Sequence, residues 1–230
     1  MVQGVNVGPD GGVNMEEAAI PLERMHRQTS RLAAGWIAQP MAMLWRELLQ
    51  QAEAQSLDDY STQIADLQAL RQLVQVEGDW LARLRGALEN RALAWPRLNP
   101  MAQGTPALTL MSELELAIQL QAQHLVTEVT RRMSPQADRL DARMALLGDR
   151  LGVRPEAGNP WGVEGVVRAF VETLPIEELT PTLVPTLFTR LATVLPEALR
   201  AAWPKVLARL AAAPARGACG EAPGRGPARS

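Results

Sequence analysis

Apolar residues recur three and four positions apart along most of this chain, which is the spacing of one face of an α-helix. The pattern is clearest in residues 57–94, 111–133 and 163–174. No alternating run of β-branched residues bounded by turn signals predicts a strand. We therefore predict an all-α protein, either a multi-helix bundle or a curved helical stack, with disordered termini.

Prolines and glycines divide the first half of this pattern into helices. A first helix is predicted to begin at Pro21, because a proline has no N–H to leave unpaired in the first turn, and to end at Pro40. A second helix is predicted from Pro40 to about Gln55. The segment 57–94 then predicts one long helix, or a pair that bends at Gly78, since glycine is a poor helix former.

Capping chemistry and prolines also mark the predicted helices of the second half. Ser112 and Glu115 have the spacing of a capping box, in which each side chain satisfies the backbone N–H of the other residue. A new helix is predicted at Pro135, with further restarts at Pro196 and Pro204. These breaks are expected because a proline inside a helix costs about 3 kcal/mol.

The composition of successive segments predicts how the chain is organised. Residues 1–15 and 214–230 are predicted to be disordered, the second as a basic tail. Two helical regions are predicted, an N-terminal one over 16–95 and a C-terminal one over 109–213. Between them, 96–108 is rich in proline and is predicted to be a linker.

The stretch "GNPWGVEGVVRAF" predicts a tight turn followed by a helix. Asn159 can bond to the backbone of the next turn, Pro160 fixes one dihedral angle, and Gly162 allows a close approach. Phe170 belongs to the apolar face of the helix that follows. We interpret these four residues as the structural start of a helix, with no part in chemistry.

Composition and charge exclude several classes of partner. The chain has 230 residues with a net charge of -2, so nothing draws the whole protein to nucleic acid or to an anionic membrane. Cys219 is the single cysteine, which excludes an intramolecular disulfide and indicates a reducing compartment. No signal-peptide pattern and no apolar run of about 20 residues is present. We predict a soluble, cytoplasmic protein without membrane contact.

Residue types that carry chemistry are sparse. His26 and His124 are the only histidines, and no second histidine lies at ligand spacing from His124 on its helix. Glu113 and Glu115 do not face each other on a helix and are typical first-turn acids. We therefore predict no catalytic residue, no cofactor-binding residue and no metal site, and no enzymatic activity.

Four stretches in this order, "LLQQAEAQSLDDYSTQIADLQALRQL", "LTLMSELELAIQLQAQHLV", "LDARMALLGDRLG" and "NPWGVEGVVRAF", resemble the N-terminal part of a bacterial helical family catalogued as domain of unknown function 1631. This sequence departs from the family pattern at two places. Val163 stands where the family has a second proline, and a Gly/Pro/Arg tail stands where family members continue. We therefore expect a short or truncated relative of that family. The matching positions are Glu113, Glu115, Arg143, Leu146, Leu147, Asn159, Pro160, Gly162, Ala169 and Phe170.

Members of that family sometimes carry the label thymidine phosphorylase, but the resemblance transfers no catalytic residue to this chain. Such an enzyme needs a phosphate-binding loop with lysine and serine, and Lys205 is the only lysine here. We therefore do not expect phosphorylase activity.

The leading functional hypothesis is a helical scaffold or adaptor that acts through protein–protein interaction. The apolar positions of residues 180–213 are too many for one narrow stripe, which predicts an interface for a homodimer or a partner helix. Phe188, Leu191 and Trp203 are the expected anchors, unless the preceding helices bury them. The alternative function is binding of a polyanion or nucleic acid through the arginine-containing C-terminal tail, because residues 198–230, which end in this tail, carry six basic residues and one acidic residue.

Overall fold

The computed structural model describes residues 15–55, 60–97, 111–152 and 158–212, and these residues are helical and contain no strand. The all-α prediction is confirmed. Short 3₁₀ turns lie at Gln39–Met41, Trp95–Arg97 and Ile176–Glu178. The α-helices are α1 (Met15–Ala38), α2 (Leu44–Gln55), α3 (Tyr60–Gln75), α4 (Glu77–Ala94), α5 (Glu113–Leu151), α6 (Val163–Thr173) and α7 (Leu183–Ala211).

Several predicted segments fall wholly or largely outside this description. Residues 1–14 and 213–230 belong to the predicted disordered ends, and 98–110 contains most of the predicted linker. Within the described ranges, no helix combines the length and the apolar character needed to cross a membrane.

The first two helices begin at different residues from those predicted. α1 begins at Met15, six residues before Pro21, because the intervening glutamates and alanines are good helix formers. Pro40 lies in a 3₁₀ turn, so the second helix begins at Leu44. The segment 57–94 does form a helix pair, but α3 and α4 separate at Val76, two residues before the expected bend at Gly78.

The capping box at the start of α5 is present as predicted. The Ser112 hydroxyl accepts a hydrogen bond from the backbone N–H of Glu115 at 3.2 Å, and Glu115 Oε2 accepts one from the backbone N–H of Ser112 at 2.8 Å. Ser112 donates two hydrogen bonds to the Glu115 carboxylate, from its backbone N–H and from its hydroxyl at 2.9 Å, and both lower the pKa of this carboxyl because they favour its charged form. The first turn of α5 is thus fixed by residues within four positions of each other.

The predicted break at Pro135 is wrong, since α5 continues through this proline to Leu151. Pro135 is exposed, and the carbonyl it deprives of a partner belongs to Arg131, which is also exposed, so water can hydrate that group. Val129, Met133 and Leu140 are buried on either side of the proline and hold both halves of α5 against the core.

The predicted restarts at Pro196 and Pro204 are also wrong, because α7 is one helix of 29 residues. Burying one large aliphatic or aromatic side chain stabilises a fold by about 1.5–3 kcal/mol, so packing along this helix offsets the cost of its prolines. The buried residues of α7 are Leu183, Val184, Leu187, Phe188, Leu191, Leu195, Pro196, Ala198, Leu199, Ala202, Trp203 and Val206.

The two predicted helical regions share one hydrophobic core. Helix α7 packs against α5, α1 and α2, while α1 packs against α4, and α6 lies against both α4 and α5. Four aromatic rings, one each from α2, α4, α6 and α7, follow one another through this core. Trp45 to Trp80, Trp80 to Phe170 and Phe170 to Phe188 are 5.1, 5.8 and 6.3 Å apart between ring centroids, each in an edge-on arrangement.

Candidate functional site

The turn before α6 is held by the asparagine that the sequence singles out. Asn159 Oδ1 accepts a hydrogen bond from the backbone N–H of Trp161 at 2.9 Å, and its Nδ2 donates to Asp141 Oδ1 on α5 at 2.6 Å. Gly162 donates its N–H to the Asn159 carbonyl at 3.1 Å and caps α6. These contacts attach the start of α6 to α5, which is a structural role.

Gly165 completes this turn, and the sequence analysis missed it. A Cβ atom added at Gly165 would lie 2.6 Å from the carbonyl oxygen of Pro160, whereas one added at Gly162 would lie 3.2 Å from that of Asn159. The first turn of α6 therefore packs directly on the preceding backbone. The signal in the sequence was a glycine three residues inside a predicted helix.

Phe188, Leu191 and Trp203 lie inside the chain's own core. Their exposed fractions are 3 %, 0 % and 1 %, and Trp203 donates its indole N–H to the carbonyl of Trp161 at 3.0 Å. The other helices of the bundle cover these side chains, which is the alternative that the sequence left open. They are therefore core residues of the chain, and the prediction that they are exposed as interface anchors is corrected.

Three buried polar side chains lie close together in the sequence of α1. His26 lies with its ring centroid 6.0 Å from that of Trp95, and burial lowers the pKa of the imidazole, an effect that nearby Glu23 partly offsets. Thr29 and Ser30 follow one turn later on the same side of the helix. His26 Nε2 and both hydroxyls have no hydrogen-bond partner in the part of the chain that the structure describes.

This group lacks the geometry of a nucleophilic site. A serine nucleophile needs a hydrogen bond to its base, and none joins Ser30 to His26. The other histidine, His124, is exposed on α5. Among the described residues, no group of three or more histidines, cysteines, aspartates and glutamates could hold a metal ion.

A buried acid lies at the start of α4. Glu77 contacts Arg46 Nε at 2.8 Å, and burial raises the pKa of its carboxyl while Arg46 acts in the opposite direction. Arg46 is mostly exposed, so the ion pair reaches the surface. The ion pair joins α2 to α4, which makes it a structural contact.

An open groove of about 480 Å³ runs between α1 and α4. The Arg85 guanidinium lies over Gly35, 3.8 Å from the position that a Cβ atom would occupy there. A Cβ atom at Gly78 or Gly86 would meet nothing within 4 Å. The groove is shallow and carries charges of both signs. Its lining is Arg31, Gly35, Ala38, Gln39, Gly78, Leu81, Ala82, Arg85, Gly86 and Glu89.

The exposed side of the first half of α5 has no charged residue over three helical turns. Residues 116–127 contain no aspartate, glutamate, lysine or arginine over three helical turns. Leu116 and Leu120 are 51 % and 56 % exposed there, on the side of the helix opposite the buried Ile118 and Leu125. We define the uncharged α5 face as the exposed residues Leu116, Leu120, Gln123, His124 and Thr127.

Opposite charges lie at the two ends of the uncharged α5 face. Glu113 precedes it and Arg131 follows it, both exposed and on the same side of the helix. Neither makes an ion pair within the described ranges. Arg132, by contrast, pairs with Glu128 and donates to the carbonyl of Ala192 on α7.

The uncharged α5 face could not be recognised from the apolar periodicity, which marks the positions that face the core. Met111, at the start of that pattern, is 52 % exposed. The signal that could have found the face was the absence of charge between Glu115 and Glu128.

No family model, curated protein or solved structure matches this chain. The resemblance to the helical family named above stays a prediction.

Proposed function

We propose that this protein is a helical scaffold or adaptor that acts through protein–protein contact, and that the uncharged α5 face is its contact surface. The observation that carries the proposal is the pair of leucines, Leu116 and Leu120, half exposed in three turns of helix without a charged residue. The central part of a protein interface is depleted in charged residues relative to the rest of a protein surface.

The exposed side of α1 differs from the uncharged α5 face in its charge. The exposed side of α1 has Glu23, Arg24, Arg27 and Arg31 within nine residues. A single exposed leucine is therefore not the distinguishing feature. Leu146, also on α5, is 56 % exposed like Leu120, but Arg143 and Arg150 lie one turn away from it on either side.

Helix α5 is well suited to present a binding surface. The side of α5 opposite the face is anchored in the core by Ile118, Leu125 and Val129, and its first turn is held by the capping box. A partner that binds this surface need not order the backbone first, which reduces the entropic cost of association.

We also propose a cellular location, a family kinship and an alternative function for this protein. Cys219, which has no second cysteine in this sequence to pair with, supports a reducing, cytoplasmic location. Kinship with the helical family named above is supported by the order of four stretches. Polyanion binding through the basic tail is supported by its charge alone, and those residues lie outside the described ranges.

Site-specific photo-crosslinking in the native cell tests the proposed function. A photoreactive phenylalanine analogue replaces Leu120 in one variant and Leu146 in the other, two leucines with the same exposure on the same helix. We expect cross-linked protein adducts from position 120 and few from position 146, with unchanged circular dichroism melts for both. Equal yields at the two positions, or no adduct at position 120, would contradict the proposal.

A further inference from the structure

We propose that the protein bound by the uncharged α5 face is a second copy of this chain, with the two α5 helices antiparallel about a two-fold axis near residue 122. This inference rests on the proposed function and names the partner of the same surface. It follows from the distribution of charge along α5.

The charges at the ends of the face on one copy are complementary to those on the second copy only when the two α5 helices run in opposite directions. Residue 122 lies midway between Glu113 and Arg131, so the two-fold axis places Glu113 of each copy beside Arg131 of the other copy. Both side chains are exposed and have no ion pair in the described part of the chain. A parallel pair would instead set glutamate against glutamate and arginine against arginine.

The centre of the face can be buried without desolvating a formal charge. The same axis sets Leu120 of each copy opposite His124 of the other, and Leu116 close to Thr127 of the other. Leucine, glutamine and threonine carry no formal charge, whereas each buried unpaired ion costs several kcal/mol. The charged side chains stay at the rim, where water still reaches them.

Other classes of partner fit this surface less well. Nucleic acid and anionic membranes are bound through lysines and arginines, and none lies between residues 116 and 127. The span from Glu113 to Arg131 is about 27 Å of helix. One helix per copy makes an interface smaller than those of obligate dimers, so the dimer is expected to be reversible and concentration-dependent.

Sedimentation equilibrium over a range from low micromolar to several hundred micromolar protein tests the second copy. We expect a monomer–dimer equilibrium for the wild type and for Leu146→Asp, and a monomer throughout for Leu120→Asp. Both leucines are exposed, so all three proteins should give the same circular dichroism melt. A strictly monomeric wild type, or a dimer that survives Leu120→Asp, would overturn the inference.

Charge reversal tests the antiparallel register. Glu113→Arg and Arg131→Glu should each raise the dimer dissociation constant about tenfold, because each places like charges at both ends of the homodimer. An equimolar mixture of the two variants should form a heterodimer of near wild-type affinity, since both ends are again complementary. A mixture that associates no better than either variant alone would overturn the register.

The outcomes also separate this inference from the proposed function. If the wild type is monomeric while position 120 still cross-links to another protein, the second copy is wrong and the adaptor function stands. If position 120 cross-links to nothing and the wild type is monomeric, both fail.

Discussion

Two glycine-to-alanine substitutions in helices should change stability in opposite directions. Gly165 lies in the first turn of α6 and Gly86 in the middle of α4. In both cases alanine restricts the unfolded chain and has the better helix propensity. The two sites differ in what the new methyl group meets.

The expected magnitudes come from the space around each glycine. At Gly86 a Cβ atom has nothing within 4 Å, so Gly86→Ala should raise the free energy of unfolding by about 1 kcal/mol. At Gly165 the Cβ atom would lie 2.6 Å from the Pro160 carbonyl oxygen and 2.9 Å from that of Asn159. Backbone must move to relieve this overlap, at a cost of about 1–3 kcal/mol that exceeds alanine's gain of about 1 kcal/mol, so Gly165→Ala should lower the free energy of unfolding by about 1 kcal/mol.

Urea unfolding followed by far-ultraviolet circular dichroism measures both changes. The midpoints of Gly86→Ala and Gly165→Ala should move in opposite directions from the wild type, with unchanged denaturant slopes. If Gly165→Ala is as stable as the wild type or more stable, the close packing of α6 on its preceding turn is refuted.

Three further substitutions test the interior. Replacing Phe188 and Leu191 together by Asp should abolish the cooperative thermal melt, because both side chains are buried, and a retained melt would contradict this placement. Trp203→Phe removes the donor to the Trp161 carbonyl and part of a buried ring, so the free energy of unfolding should fall by about 3 kcal/mol in urea titrations; a change below experimental error would contradict the bond. Burial holds the pKa of His26 below its ordinary value, so the unfolded chain takes up the proton first as the pH falls below about 6.5, and this contribution to stability is lost on acidification. His26→Leu should therefore show a smaller loss of melting temperature than the wild type between about pH 7 and pH 5; equal losses would contradict the assignment.

Features set by neighbouring residues could be predicted from the sequence. The capping box needs only Ser112 and Glu115, and the turn before α6 needs only the stretch around Asn159, so local hydrogen bonding determines both. The helical period itself was visible wherever one face is buried. These parts of the fold depend little on what packs against them.

The continuity of α5 and α7 could not be predicted locally. Pro135, Pro196 and Pro204 are helix breakers by their own chemistry, and packing against distant helices outweighs that cost. The number of apolar positions on α7 was correctly seen, but whether they are covered depends on helices far away in sequence. Helices α5, α1 and α2 pack against α7, and Phe188 and Leu191 are buried in the core.

The uncharged α5 face could not be predicted from the sequence for a related reason. An exposed leucine is recognisable only after the core-facing side of its helix is known, and α5 had been divided at Pro135. The absence of charge over residues 116–127 is a feature of the sequence, but its position on an exposed surface is a feature of the fold.

A distance measurement across the dimer tests the central claim most directly. Thr130 is exposed on α5 beside the face, and a nitroxide label there, as Thr130→Cys in a Cys219→Ser background, reports on the partner helix by pulsed electron resonance. Antiparallel pairing about residue 122 separates the two labelled backbones by roughly 26 Å, from sixteen residues of helical rise and a helix spacing of about 9 Å. We expect a distance distribution near roughly 26 Å that disappears with Leu120→Asp. No intermolecular distance at concentrations where the wild type should be dimeric, or a short distance typical of parallel helices, would contradict it.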